Sequence, residues 1–304
     1  MCNGEGWFYP WRPGRGKIEC VEVAIPNQLA AVCEHKPERA EWLASLPNTI
    51  NAPRKRWDIH LGPPSETGSC AWVAPVQQKG RNAVLKVGMP HMEGTHELLA
   101  LRFWNGDPAV LVFDSDQGWN AMLLEAREPG TPLRSLPEED QDLVIAELLR
   151  RCWRRPTGPH PFRTLSTQLV YWGEETNAQS SWWPDAGLVR EGLRLFEELS
   201  TPSREDVLLT TDLHAGNILR AQREPWLVID PKPFMGDPAY DITQHLLNCR
   251  GSLLNDPSTL IGRMSDLVGI DWRRIELWLF ARLAAELRDD WNDGTVALAR
   301  RLLR

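Results

Sequence analysis

The chain has 304 residues, a hydrophobic content of 42%, a charged content of 25% and a net charge of −7. That length allows two sizeable cores, and no apolar run approaches the roughly 18 residues needed to cross a bilayer. The acidic balance, with no basic run longer than Arg54-Lys55-Arg56, argues against nucleic acid as a partner and suits a neutral or cationic one. The six cysteines are scattered without a metal-ligand spacing, so they read as reduced thiols of a cytoplasmic protein, and the amino terminus lacks the pattern of a secretory signal. The fifteen tryptophans, among them Trp272, Trp278 and Trp291, read mainly as core packing.

Residues 1–24 are rich in Gly, Trp and Pro without periodicity and are a candidate for disorder. Helical segments are expected between Gln28 and Leu46, interrupted near Pro37 and ending at Pro47. Five β-type runs follow, at Trp57–Leu61, Cys70–Pro75, Ala83–Val87, Ala109–Asp114 and Ala121–Glu125, with a single helix over Glu93–Trp104 between the third and fourth. Three strands, a helix and two more strands describe a small antiparallel sheet carrying one helix, suited to clamping a nucleotide. Beyond Glu125 the pattern is mainly helical, near Glu138–Arg155, Ala186–Leu199, Ala239–Cys249 and Trp272–Trp291. The boundary is expected near 127–133, giving one lobe over 25–126 and a helical one over 127–304.

The most informative stretch is LLTTDLHAGNILRAQREPWLVIDPKPFMGDPAYD, residues 208–241. Asp212 is followed five residues later by Asn217, and Asp230 comes at the end of an apolar run. Phosphoryl transfer needs an oriented hydroxyl and hard oxygen ligands for magnesium. In that chemistry Asp212 faces the hydroxyl, while Asn217 and Asp230 hold the metal.

The segments DLHAGN and IDPKPFMGDPAYD resemble the catalytic and metal-binding motifs of the aminoglycoside phosphotransferase family. The PK and GDPAYD extension is most similar to its branch of streptomycin 6-kinases and hydroxyurea phosphotransferases. The resemblance extends through AVLKVGMPHMEGTHELLALRFW and AMLLEAREPGTPL, over roughly residues 40–290.

It implies a two-lobed, protein-kinase-like α+β fold with ATP and Mg2+ in the cleft. The implied activity is transfer of the γ-phosphate to a small, cationic hydroxyl acceptor such as streptomycin. The roles implied are catalysis for Asp212, metal binding for Asn217 and Asp230, and the phosphate-neutralising pair for Lys86 and Glu97. The GPPSETGS turn would cover the phosphates, with Ser65, Thr67 and Ser69 as donors, and the main chain of Glu125 and Ala126 would seat adenine. Where the family usually has His-Gly-Asp, with the histidine steadying the loop, this chain has Thr210-Thr211-Asp212.

Several of these residues also have ordinary structural readings. Lys86 could be a charge on a sheet edge and Glu97 a solvated helix position. His214 reads as a brace of its loop, Asp237 and Asp241 as acids at a helix start, and Glu286, Asp289 and Asp290 as a solvated face. Two further functions remain open: a kinase for another metabolite or a hydroxyurea-like acceptor, and a nucleotide-binding scaffold without transfer.

Overall fold

The computed structural model describes residues 23–34, 37–66, 68, 70–286 and 291–303; the expectation for residues 1–24 falls almost wholly outside them. The chain divides into two compact units, one formed by Met1–Leu133 with Ile218–Ile229, the other by Arg134–Asn217 with Asp230–Arg304.

The first unit is built on a five-stranded antiparallel sheet: β1 (Ile59–Leu61), β2 (Ala71–Gln78), β3 (Arg81–Gly88), β4 (Val112–Asp116) and β5 (Ala121–Glu125), in the order β1-β2-β3-β5-β4. Alternation along β3 turns Ala83, Leu85 and Val87 to one face, where helices α1 (Asn27–Cys33) and α2 (Pro37–Arg56) contribute Leu29, Leu46 and Ile50 to the same core. Val84 and Lys86 point the other way, and Lys86 meets Glu97 of α3 (Glu97–Trp104), which a 3-10 turn at Glu93–His96 precedes. The single helix expected over 93–104 is thus two pieces.

α2 also runs on through Pro47 and Pro53 to Arg56, past the end expected at Pro47. Burial of Leu46, Thr49, Ile50 and Pro53 holds it to the core. Within it the Ser45 hydroxyl donates to the Trp42 carbonyl (2.7 Å), and Thr49 Oγ1 donates to the Ser45 carbonyl (3.0 Å). A hairpin of β7 (Ile218–Arg220) and β8 (Trp226–Val228) completes this unit. It is tied in by the Gly130 N–H donating to the Arg220 carbonyl (3.0 Å) and the Val110 N–H to the Val228 carbonyl (3.1 Å).

The second unit is helical: α4 (Glu138–Cys152), α5 (Leu165–Ala178), α6 (Ala186–Leu199), α7 (Pro238–Asn248), α8 (Arg250–Asn255), α9 (Pro257–Val268), α10 (Trp272–Ala285) and α11 (Asp293–Leu302). A two-stranded ladder of β6 (Val207–Leu209) and β9 (Phe234–Gly236) lies among them, pairing Leu209 with Phe234. That register makes the chain leave the ladder at one end in both directions, so residues 210 onward and 233 backward face each other. α6 and α10 pack closely because Gly192 has no side chain: a Cβ there would stand 2.8 Å from Ala284 Cβ and 3.2 Å from Ala285 Cβ. Of the tryptophans, Trp72, Trp104 and Trp278 are fully buried, whereas Trp119, Trp182 and Trp272 are exposed. Packing therefore accounts for only part of the set. No helix among the described residues is long and apolar enough to cross a membrane.

Candidate active site

In the first unit Lys86 Nζ lies 2.6 Å from Glu97 Oε1, and both side chains are buried. β3 is the central strand of the sheet, so Lys86 is no edge charge and Glu97 no solvated position. A buried ion pair is expensive to desolvate and is weak grounds for stability, which favours a reason other than stability for keeping it.

The turn before β2 continues the ladder: the Gly62 N–H donates to the Pro75 carbonyl and the Ser65 N–H to the Val73 carbonyl, each at 2.8 Å. Ser65 is thereby fixed at the mouth of that turn, while Thr67 and Ser69 lie outside the described residues. At the end of β5 the Glu125 N–H is used within the sheet, donating to the Leu111 carbonyl (2.9 Å). Its carboxylate accepts from Arg223 Nε and Nη2, both at 2.9 Å, clamping the 218–229 hairpin. That carboxylate serves the fold.

In the second unit the segment 210–217 leaves β6 as the loop carrying Asp212. Its backbone is fixed from α7. Asp241 Oδ2 accepts from the Thr210 N–H (2.9 Å), the Thr210 hydroxyl (3.1 Å) and Trp153 Nε1 (3.1 Å), and Asp241 Oδ1 accepts from the Thr211 N–H (2.6 Å). Burial pushes the Asp241 carboxyl up, and these four donors pull it back toward the charged form. Asp237, by contrast, caps α7 as expected, accepting from the Ala239 N–H (2.9 Å). Asp241 is thus more than an acid at a helix start; it anchors the loop.

Thr211 adopts φ 46° and Asp230 φ 53°. The left-handed region costs a β-branched residue, and strain of this kind concentrates at functional sites. At Thr211 it is offset by the bond to Asp241 and by the hydroxyl, which donates to the Lys232 carbonyl at 2.5 Å. The same φ would suit the glycine that the family resemblance puts at this position. Buried Thr210 and half-buried Thr211 together hold the loop.

Within the loop Asn217 Nδ2 donates to the Asp212 carbonyl (2.9 Å) and to Asp212 Oδ2 (3.3 Å). Gln244 Nε2 of α7 donates to Asp212 Oδ1 (2.8 Å). His214 Nδ1 accepts from the Gly216 N–H (3.0 Å), and burial, with the Arg134 guanidinium second, holds this imidazole down to about 4. Its role is that of a neutral brace. Gly216 leaves room for Arg134, whose Nη2 would be 1.9 Å from a Cβ there.

Asp230 opens the facing segment. The backbone N–H of Lys232 donates to the Thr210 carbonyl (2.8 Å), and Lys232 Nζ donates to Asp230 Oδ1 (2.6 Å). A partly exposed carboxylate at Asp230 and an amide oxygen at Asn217, whose nitrogen is committed to Asp212, are the hard donors that suit magnesium. Lys232, buried and paired with Asp230, was not among the residues singled out from sequence; nor was Gln244.

Glu286 is likewise no solvated group: its carboxylate pairs with Arg282 through Oε2 to Nε (2.6 Å) and Oε1 to Nη2 (2.5 Å). Asp289 and Asp290 lie outside the described residues.

Among the described residues Asp142, His245 and Cys249 form a trio with metal-binding chemistry, their ligand atoms within 4.8 Å of one another. His245 Nε2 and Asp142 Oδ1 are 2.5 Å apart, a hydrogen bond rather than two ligands spread about an ion. Burial pushes the Cys249 thiol up to about 12, and Arg263 ion-pairs with Asp142. The trio reads as a charge-paired core cluster.

The sequence profile of the aminoglycoside/hydroxyurea antibiotic resistance kinase family matches residues 56–292. The chain belongs to this family. As an aminoglycoside/hydroxyurea kinase relative it is 32% identical to streptomycin 6-kinase of Streptomyces glaucescens over 292 residues, 91% of this chain and 94% of that one. It is 33% identical to streptomycin 6-kinase of Streptomyces griseus over the same shares. It is 31% identical to hydroxyurea phosphotransferase of Kitasatospora aureofaciens over 287 residues, 92% of this chain and 84% of that one. Its activity class is that of a phosphotransferase.

The fold agrees with that of aminoglycoside phosphotransferase APH(4)-Ia, solved with ADP and hygromycin B (TM-score 0.53, 16% identity, 83% of this chain and 95% of that one). It also agrees with a choline kinase of Streptococcus pneumoniae (TM-score 0.57, 13% identity, 87% and 97%). The protein-kinase-like α+β fold read from the sequence is the fold of the molecule.

Proposed function

We propose that this family member is an ATP-dependent kinase that inactivates an aminoglycoside-type antibiotic such as streptomycin by phosphorylating one of its hydroxyls. The single observation that carries this reading is similarity to two streptomycin 6-kinases over 91% of the chain, with the Asp212 loop held by several hydrogen bonds.

In this reading the acceptor oxygen attacks the γ-phosphorus, the bond to the β-phosphate oxygen breaks, ADP leaves, and Asp212 orients the hydroxyl and takes its proton. Lys86, steadied by Glu97, neutralises the phosphates. Ser65, Thr67 and Ser69 donate to phosphate oxygens, and main-chain groups near Glu125 and Ala126 seat adenine. Asn217 and Asp230 would hold Mg2+, which when bound supplies positive charge to the phosphate oxygens. The acidic net charge suits a cationic acceptor, and dependence on ATP suits the cytoplasm.

Purified protein with magnesium-ATP, offered streptomycin, other aminoglycosides and hydroxyurea while ADP release is followed, tests this. Acceleration by streptomycin is expected. Asp212→Asn should lower turnover by about 10³-fold or more while leaving nucleotide affinity nearly intact. Acceleration by hydroxyurea alone would favour the second reading, for which the hydroxyurea phosphotransferase relative speaks. Thermal stabilisation by magnesium-ATP with no ADP formed from any acceptor would favour the scaffold, a reading weakened by the multiple bonds that hold Asp212 in place.

A further inference from the structure

The Asp212 carboxylate is gripped from outside its own loop by a relay whose polarity is fixed at every joint. Gln244 Nε2 stands 2.8 Å from Asp212 Oδ1, and Gln244 Oε1 stands 2.7 Å from Arg282 Nη2. The two ends of a glutamine amide are alike in shape, but a guanidinium can only donate, so the amide oxygen must face Arg282 and the NH2 group must face Asp212.

Arg282 is itself immobile. It is buried, its guanidinium makes two bonds to the Glu286 carboxylate, Nη1 donates to Thr243 Oγ1 (2.8 Å), and it lies 4.6 Å over the Tyr240 ring. Thr243 and Gln244 sit beside each other on α7, and Asp241 precedes Gln244 by three residues. One face of that helix therefore fixes the Thr210 and Thr211 backbone through Asp241 and the next side chain, Asp212, through Gln244.

We propose that Gln244 and Arg282 are positioning residues for Asp212, an assignment that rests on the reading of Asp212 as the proton acceptor. Each Asp212 oxygen takes one amide donor, Oδ1 from Gln244 and Oδ2 from Asn217. These two amide donors, one on each oxygen, fix the plane of the carboxylate. Arg282 enforces the amide orientation from one side chain away.

The test compares Gln244→Leu, Gln244→Glu and Asp212→Asn in magnesium-ATP-dependent phosphorylation of streptomycin. Gln244→Leu is expected to lower kcat by about 10- to 100-fold with KM for ATP within about two-fold, the loss typical when a supporting hydrogen bond is removed. Gln244→Glu keeps an acceptor for Arg282 but turns a carboxylate in place of an NH2 donor toward Asp212, so its kcat should fall at least as far as that of Gln244→Leu, again with KM for ATP within about two-fold. Wild-type kcat in Gln244→Leu or in Gln244→Glu overturns the proposal while Asp212→Asn remains inactive; full turnover in Asp212→Asn instead overturns the reading beneath it.

If streptomycin is not an acceptor, thermal unfolding of Asp212→Ala, Gln244→Leu and the double variant decides the point without turnover. A smaller midpoint shift for Gln244→Leu in the Asp212→Ala background supports the relay, and strictly additive shifts refute it.

Discussion

Thr211 occupies a backbone conformation that costs a non-glycine residue about 1–2 kcal/mol, and its hydroxyl returns about 0.5–1.5 kcal/mol through the bond to the Lys232 carbonyl. Thr211→Gly removes both terms and adds the entropy of glycine, about 0.5–1 kcal/mol, so its stability in urea unfolding should stay within about 1 kcal/mol of wild type. Thr211→Val loses the same bond but keeps the strain, and should lose more stability.

His214 makes a second residue-scale prediction. Its folded pKa is about 4 against about 6.5 unfolded, so between these values the unfolded chain binds a proton that the folded chain refuses. Stability is therefore complete above about pH 6.5 and falls as pH drops toward 4, by on the order of 2–3 kcal/mol from this group. Urea midpoints of His214→Asn at pH 7 and pH 5 should differ less than those of wild type. Asp212 and Asn217 were legible because their pairing is local, five residues apart in one loop. Gln244 was not, since nothing in DITQH distinguishes a glutamine that meets Asp212 from one that meets solvent.

At the scale of elements, α6 was readable to the residue because Leu188, Val189, Gly192, Leu195, Phe196 and Leu199 recur at helical spacing. α5 escaped because its inner face includes Gln168, Gly173 and Thr176, polar or small residues that erase the hydrophobic period. The helix expected over Trp272–Trp291 ends instead at Ala285, and sequence periodicity places such ends poorly. Gly192→Ala should test how tightly α6 and α10 are joined. Better helix propensity would favour alanine by about 1 kcal/mol, but overpacking typically costs about 1–3 kcal/mol. The added methyl would meet Ala284 Cβ at 2.8 Å and the Ala281 carbonyl at 3.3 Å, atoms with no flexible end to swing away. The steric term should win, lowering the thermal midpoint by a few degrees.

For the whole molecule, the change from a sheet-building pattern to a helical one after Glu125 was plain in the sequence. The return of residues 218–229 to the first unit was not, because two short strands inside a helical region carry no mark of the partners they choose. Their apolar residues Ile218, Leu219, Leu227 and Val228 are almost wholly buried. A fragment of residues 134–304 should therefore expose them and aggregate or bind a hydrophobic dye, whereas the intact chain should not.

The interleaved path also constrains how such genes can be shuffled. The chain passes from one unit to the other after Leu133, after Asn217 and after Ile229, so exchanging one unit cleanly between relatives takes three crossovers. A chimera joined only at 133/134 would set one parent's Glu125 against the other parent's residue at 223, and every surviving recombinant must make that clamp compatible.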